Sequence, residues 1–170
     1  MVDSHPRDHP AANYRDPLAN YEPKTYDDPL EQALAEEPVT AIQLRPFLSV
    51  PPDLTVAETL RRMVASEVAC ALVVEDQKLM GVFSERDALN KVALEYEQVK
   101  NRPVREFMTP NPICVYTTDK SAAVFSVMAV TGYRHVPVID LEHKLVGVVG
   151  PRRVASFVRS YFQDPPACCR

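Results

Sequence analysis

The chain has 170 residues, 46% of them apolar, with 16 prolines, four cysteines and a formal net charge of −4. That suffices for one globular module of about 120 residues plus extensions. No apolar run approaches the roughly 20 residues that cross a bilayer, no charged-then-apolar leader opens the chain, and basic residues are neither clustered nor in excess as a nucleic-acid surface requires.

Residues 1–40 carry nine acidic and three basic residues and six of the prolines. This composition predicts an acidic, Pro-rich, largely disordered N-terminal arm with one helical turn around 30–37. Tyr14, Tyr21 and Tyr26 are its candidate anchors; a solvated tail is the plainer expectation. His5 and His9 belong to this arm.

From there the elements come in order. Residues 47–50 read as an extended segment closed by Pro51-Pro52-Asp53. A helix follows, with apolar residues at 56, 60, 63 and 64 on one face. Residues 72–83 read as strand, acidic turn, strand, and a second helix begins near Ser84. The series then repeats. Residues 113–116 are extended, 120–128 are helical at an offset of 65, and 138–149 form a hairpin at an offset of 66. A last helix begins near Pro151, where proline lacks only a donor that would have no partner. The change of offset puts one extra residue near the start of the second hairpin. The expected fold is α/β (α+β): two tandem repeats, each strand-helix-strand-strand-helix, forming one pseudo-two-fold module. The arm takes residues 1–40, the repeats 41–100 and 101–163, and a tail 164–170.

The most specific local pattern is Gly81-x-x-Ser84-x-x-Asp87. A bland reading makes Ser84 a helix cap and Asp87 a favourable first-turn acid. A functional reading has Ser84 meet a phosphate while Asp87 accepts from a ribose diol. Spacing alone leaves both open. Cys70 and Cys114 lie in apolar context and read as buried thiols. The vicinal Cys168-Cys169 pair could bridge only with strain, so a reducing cytoplasm fits best.

The repeat, Gly81-x-x-Ser84-x-x-Asp87, Met108-Thr109-Pro110 and the run Tyr133-Arg134-His135-Val136-Pro137 resemble the cystathionine-β-synthase-type (CBS) domain family, as a tandem pair, over about residues 42–162. The resemblance implies two clefts between the repeats that take adenosine compounds: AMP, ADP, ATP or S-adenosylmethionine. One cleft would join Ser84 and Asp87 to Arg134 and His135. The adenine would lie against Thr109, Asn111 and Ile113, with Val82 and Phe83 beside it. The other cleft would receive Gly150, Arg153, Ala69 and Cys70, none matching the family pattern. One competent and one degenerate site are therefore expected. Arg153 reads as a solvated helix residue or as a contact to a phosphate or a partner's carboxylate.

No activated nucleophile, paired carboxylates or phosphate-binding Gly-rich loop is evident, so the chain reads as a regulatory module and not an enzyme. A thiol enzyme built on Cys70 or Cys114 with His135 lacks an activating neighbour in sequence. The alternative is a constitutive dimeric scaffold that binds no nucleotide. Val92, Phe157, Val158 and Phe162 exceed what a thin module buries, and the family often pairs face to face, so a two-fold homodimer and an unidentified regulated protein are the expected partners.

Overall fold

A computed structural model of the chain describes residues 24–162. Most of the acidic arm, with Tyr14 and Tyr21, and the Cys168-Cys169 pair lie outside the described residues.

In the first repeat, β1 (Leu48–Val50) pairs in parallel with β2 (Cys70–Glu75), Leu48 standing opposite Ala71. Parallel neighbours need a crossover, and α2 (Val56–Ala65) supplies it. Thr55 caps α2 by accepting the Glu58 amide at 3.3 Å. The helix turns Val56, Ala57, Thr59 and Met63 inward and leaves Val64 outside. β2 and β3 (Lys78–Ser84) form the antiparallel hairpin, and β4 (Thr109–Pro110) adds beyond β3. The helix expected near Ser84 is irregular: α3 (Glu85–Asp87), a π turn (Ala88–Val92), a 3-10 turn (Ala93–Glu95) and α4 (Tyr96–Val99).

The second repeat has β5 (Val115–Tyr116), α5 (Ser121–Thr131), β6 (Val136–Ile139), β7 (Leu145–Val149) and α6 (Pro151–Phe162). Its sheet order is β5-β6-β7, against β1-β2-β3-β4 in the first. Val73 lies opposite Gly81 and Val138 opposite Gly147. The offset is thus 65 through β2 and β6 but 66 through β3 and β7, so the extra residue is in the second hairpin's turn and not before its first strand. An exposed turn absorbs an insertion, whereas a slip within a strand would turn every side chain to the wrong face.

Side-chain alternation divides the first sheet between two cores. Ala71, Val73 and Phe83 pack with Val56 and Met63 of repeat one and with Val104 of the segment entering repeat two. Cys70, Leu72 and Val82 face the other way and meet Val148 of repeat two. Full burial of a side chain such as Leu72 contributes about 1.5–3 kcal/mol, so this strip is a substantial part of what holds the repeats together.

The end of the arm is ordered, contrary to a solvated tail. Asp28 caps α1 (Pro29–Glu36) by accepting the Leu30 amide at 2.7 Å. Leu30, Ala33 and Leu34 form an i, i+3, i+4 stripe that packs on repeat two with Val39 and Ile42. The Val39 amide donates to Asp119 O at 2.8 Å, and the Tyr161 hydroxyl to Glu37 Oε2 at 2.8 Å.

Each repeat also lends its entering segment to the other's sheet. β4, which leads into repeat two, pairs with β3. Leu44, ahead of β1, accepts the Val148 amide of β7 at 3.3 Å. The approach demands glycine at matching places: a Cβ at Gly81 would stand 2.8 Å from Thr109 O, and one at Gly147 2.7 Å from Leu44 O.

The surplus apolar residues need correction. Val92 and Phe157 are buried in their own repeats' cores and Val158 packs partly against one, while Phe162 remains exposed. The larger exposed apolar residues on the helical segments are Val64, Leu89, Leu94 and Val130.

Candidate functional site

The end of β3, the start of α3, β4 and the segment before β6 converge on one cleft. It is an open cleft with a cavity volume of about 130 Å³, and its walls include Val82, Ser84, Asp87, Thr109, Arg134 and His135. Six of the nine sequence-predicted residues are thus brought together. Phe83 is not among them: it is fully buried in the core of repeat one. Val82 and Ser84 face the cleft, so the alternation of a strand sends the residue between them the other way. Asn111 lines a neighbouring cavity with Lys78, Leu79, Pro112, Cys114, Ile139 and His143, and Ile113 is exposed and lines neither. Ala69, expected in the other cleft, lines this one, as does Pro112 of the loop expected to meet the adenine; Glu85, Arg86 and Tyr133 also line it and were not among the expected site residues. Tyr133 adjoins Arg134 in sequence, which was an available signal.

Asp87 is the centre of the cleft's polar network. The Ser84 hydroxyl accepts the Asp87 amide at 3.3 Å, while Asp87 Oδ2 accepts the Ser84 amide at 3.0 Å and hydroxyl at 2.6 Å. This is a reciprocal capping box with Asp in the third position. Oδ1 accepts the Thr109 hydroxyl at 3.1 Å and pairs with the Lys91 ammonium at 2.7 Å. Burial pushes the carboxyl pKa up, but Lys91 and Ser84 outweigh it and hold it below the ordinary value. Asp87 is therefore anionic at neutral pH.

The opposite wall carries one cation, Arg134, beside an imidazole. Arg134 is exposed and has no ion pair among the described residues. Burial, reinforced by Arg134 and Arg153, lowers the His135 pKa against the pull of Glu85, so the imidazole is neutral and can offer one donor. Gly150 makes room for that ring: a Cβ there would stand 3.0 Å from His135 Cδ2.

The second cleft's residues do something else. Arg153 is held by three backbone carbonyls, Leu44 O and Val148 O on Nη1 and Pro46 O on Nη2. Half-exposed, it is not free for a ligand; it ties the segment before β1 to β7. Beside it, burial pushes the Cys70 thiol up to about 12, so the thiol is inert at neutral pH.

A family profile described as the CBS domain matches residues 39–94 and 104–160. The chain belongs to the CBS domain family. It is 30% identical over 106 residues to the CBS domain-containing protein CBSCBSPB5 of Arabidopsis thaliana, covering 62% of this chain and 19% of that relative. The chain thus spans about a fifth of the plant relatives it matches first, 19% in each case. Among solved structures, the CBS domain protein PAE2072 from Pyrobaculum aerophilum, complexed with AMP, superposes with a TM-score of 0.63 at 24% identity, covering 73% of this chain and 96% of that one. The CBS domain pair of MJ0100, in complex with 5′-methylthioadenosine and S-adenosyl-L-methionine, gives 0.62 at 20% identity, covering 72% and 96%. These likenesses establish the tandem-repeat fold. No helix among the described residues is long and apolar enough to cross a membrane.

Proposed function

We propose that this protein is a non-catalytic regulatory module that binds an adenosine nucleotide of the AMP, ADP or ATP type in the cleft between its repeats. One observation carries the reading: an acid with two hydroxyls (Asp87, Ser84, Thr109) faces a cation with an imidazole (Arg134, His135) across a single cleft. A carboxylate suits the sugar diol, and a guanidinium grips phosphate bidentately. Two similar proteins hold adenosine compounds, which supports the adenosine part. Arg134 favours a phosphate-bearing nucleotide over S-adenosylmethionine. The second cleft is degenerate, its arginine committed to backbone carbonyls. The module acts as a homodimer, joined through exposed Leu89, Leu94, Val130 or Phe162, on a regulated protein still to be identified. Free thiols at Cys70 and Cys114 fit a reducing cytoplasm.

A second reading has one observation in its favour. The Asp87 carboxylate already has its acceptor positions filled, as in a constitutive scaffold that binds no nucleotide. Calorimetric titration with AMP, ADP, ATP and S-adenosylmethionine separates the two. A phosphate-bearing compound is expected to bind, and Arg134→Met to weaken it about ten-fold without moving Tm. No heat from any of the four at millimolar concentration would select the scaffold.

A further inference from the structure

The Asp87 carboxylate meets four donors before any ligand arrives. Lys91 Nζ and Thr109 Oγ1 donate to Oδ1, at 2.7 and 3.1 Å, and the Ser84 amide and hydroxyl donate to Oδ2, at 3.0 and 2.6 Å. A carboxylate has roughly four lone-pair positions. A sugar diol that reaches Asp87 must therefore displace a donor already there.

The four donors are not equally held. The Ser84 amide is fixed by the capping box, and the Ser84 hydroxyl also accepts the Asp87 amide. Thr109 belongs to β4, whose backbone pairs with β3. Lys91 differs in three ways. Its side chain is 41% exposed, and its stem is long and flexible. Its ammonium also donates to Phe107 O at 2.9 Å and Met108 O at 3.3 Å, so it keeps two acceptors after leaving Asp87. An i,i+4 ion pair that only stabilised a helix start would not need this second hold on the segment entering repeat two. In the other cleft, the residues matching Asp87 and Lys91 at the offset of 66 are Arg153 and Phe157. The ammonium is thus present where the acid is present, and absent where it is not.

We infer that Lys91 is an internal competitor for the diol: its ammonium occupies Oδ1 of Asp87 in the empty cleft and withdraws to the Phe107 and Met108 carbonyls when a ribonucleotide binds. The inference rests on the nucleotide reading of the cleft. Lys91 then sets both affinity and selectivity. A ligand with a full diol works against Lys91, and a ligand without one leaves the pair intact.

The test is calorimetric titration of the full chain and of Lys91→Met with AMP and with its 2′,3′-dideoxy analogue. Methionine keeps the length and apolar stem of lysine and removes the charge. The variant is expected to bind AMP on the order of ten-fold more tightly than the parent, the size of one charge-assisted hydrogen bond no longer displaced. The dideoxy analogue asks nothing of Asp87 and should show no gain. Lys91→Arg, which retains a cation, should stay near the parent value and serves with Lys91→Gln if the methionine variant folds poorly. Equal or weaker AMP binding in Lys91→Met, with binding intact in the parent, overturns the competitor and leaves the nucleotide site standing. An equal gain for both ligands also overturns it, because the effect would then be general charge. No binding of AMP, ADP or ATP by parent or variant overturns the nucleotide reading, and the competitor falls with it.

Discussion

The two helix starts, at Ser84 and at Gly150, are built on the same scaffold and carry opposite chemistry. In the first, the position at the helix start is Asp87, and it draws Ser84, Lys91 and Thr109 around it. In the second, the matching position is Arg153, and it reaches back to the carbonyls of Leu44, Pro46 and Val148. An acid at that place collects side-chain donors. An arginine has only donors to offer, and the nearest acceptors are backbone carbonyls that hold the fold together. The sign of one residue thus decides whether the helix start gathers side-chain donors or clamps backbone carbonyls.

The largest effect that could break this comparison lies at Arg153. Arg153→Met leaves three carbonyls without their charged partner, and a loss of about 2–3 kcal/mol in urea denaturation is expected. A loss under about 0.5 kcal/mol would mean that the second cleft is not a clamp at all. A smaller effect is expected at Asp87. Its folded pKa is depressed, so its stabilisation is complete above the unfolded value near about 4 and is lost as pH falls through the lower folded value. Asp87→Asn should therefore cost about 1–2 kcal/mol at pH 7, and the gap from the parent should close on acidification below about pH 4. Denaturation of both proteins from pH 7 down to pH 3 checks this; a gap that does not narrow at all toward the acid end would show that its charge is not what stabilises the helix start.

Much of this contrast was legible in the chain. The repeat fixed the equivalence of Ser84 with Gly150 and of Asp87 with Arg153, and the strand registers give those same pairings at an offset of 66. The offset of 65 likewise pairs Arg134 with Ala69 and His135 with Cys70. What escaped depended on direction or on distance along the chain. The buried side of Phe83 follows from Val82 and Ser84 by simple alternation, a signal the sequence carries. Lys91 carried a weaker one, its place four residues after Asp87. The carbonyl partners of Arg153 are 107 and 109 residues away in two cases, and no local pattern encodes them. The docking of α1 on repeat two escaped because acidic, Pro-rich composition outweighed a three-residue apolar stripe. Asn111, at a positive φ of 45°, lines the neighbouring cavity and not the first cleft, which no local pattern foretold.

The smallest expected effect is the most diagnostic of coupling between the clefts. Gly150 belongs by position to the second cleft, yet its missing side chain makes room for His135 of the first. Gly150→Ser would bring a Cβ to 3.0 Å from His135 Cδ2 and 3.2 Å from Nε2, so the ring must give by a few tenths of an ångström. Serine suits the position before a helix about as well as glycine, and stability should change by less than about 0.5 kcal/mol. Nucleotide affinity in the first cleft should nonetheless fall about three- to ten-fold, the loss of one well-placed neutral hydrogen bond. Titration of this variant beside Arg134→Met separates two uses of the cationic wall. If Gly150→Ser binds like the parent while Arg134→Met does not, the guanidinium alone meets the phosphate and His135 is a wall. If both weaken, the glycine that degrades one cleft is part of what builds the other.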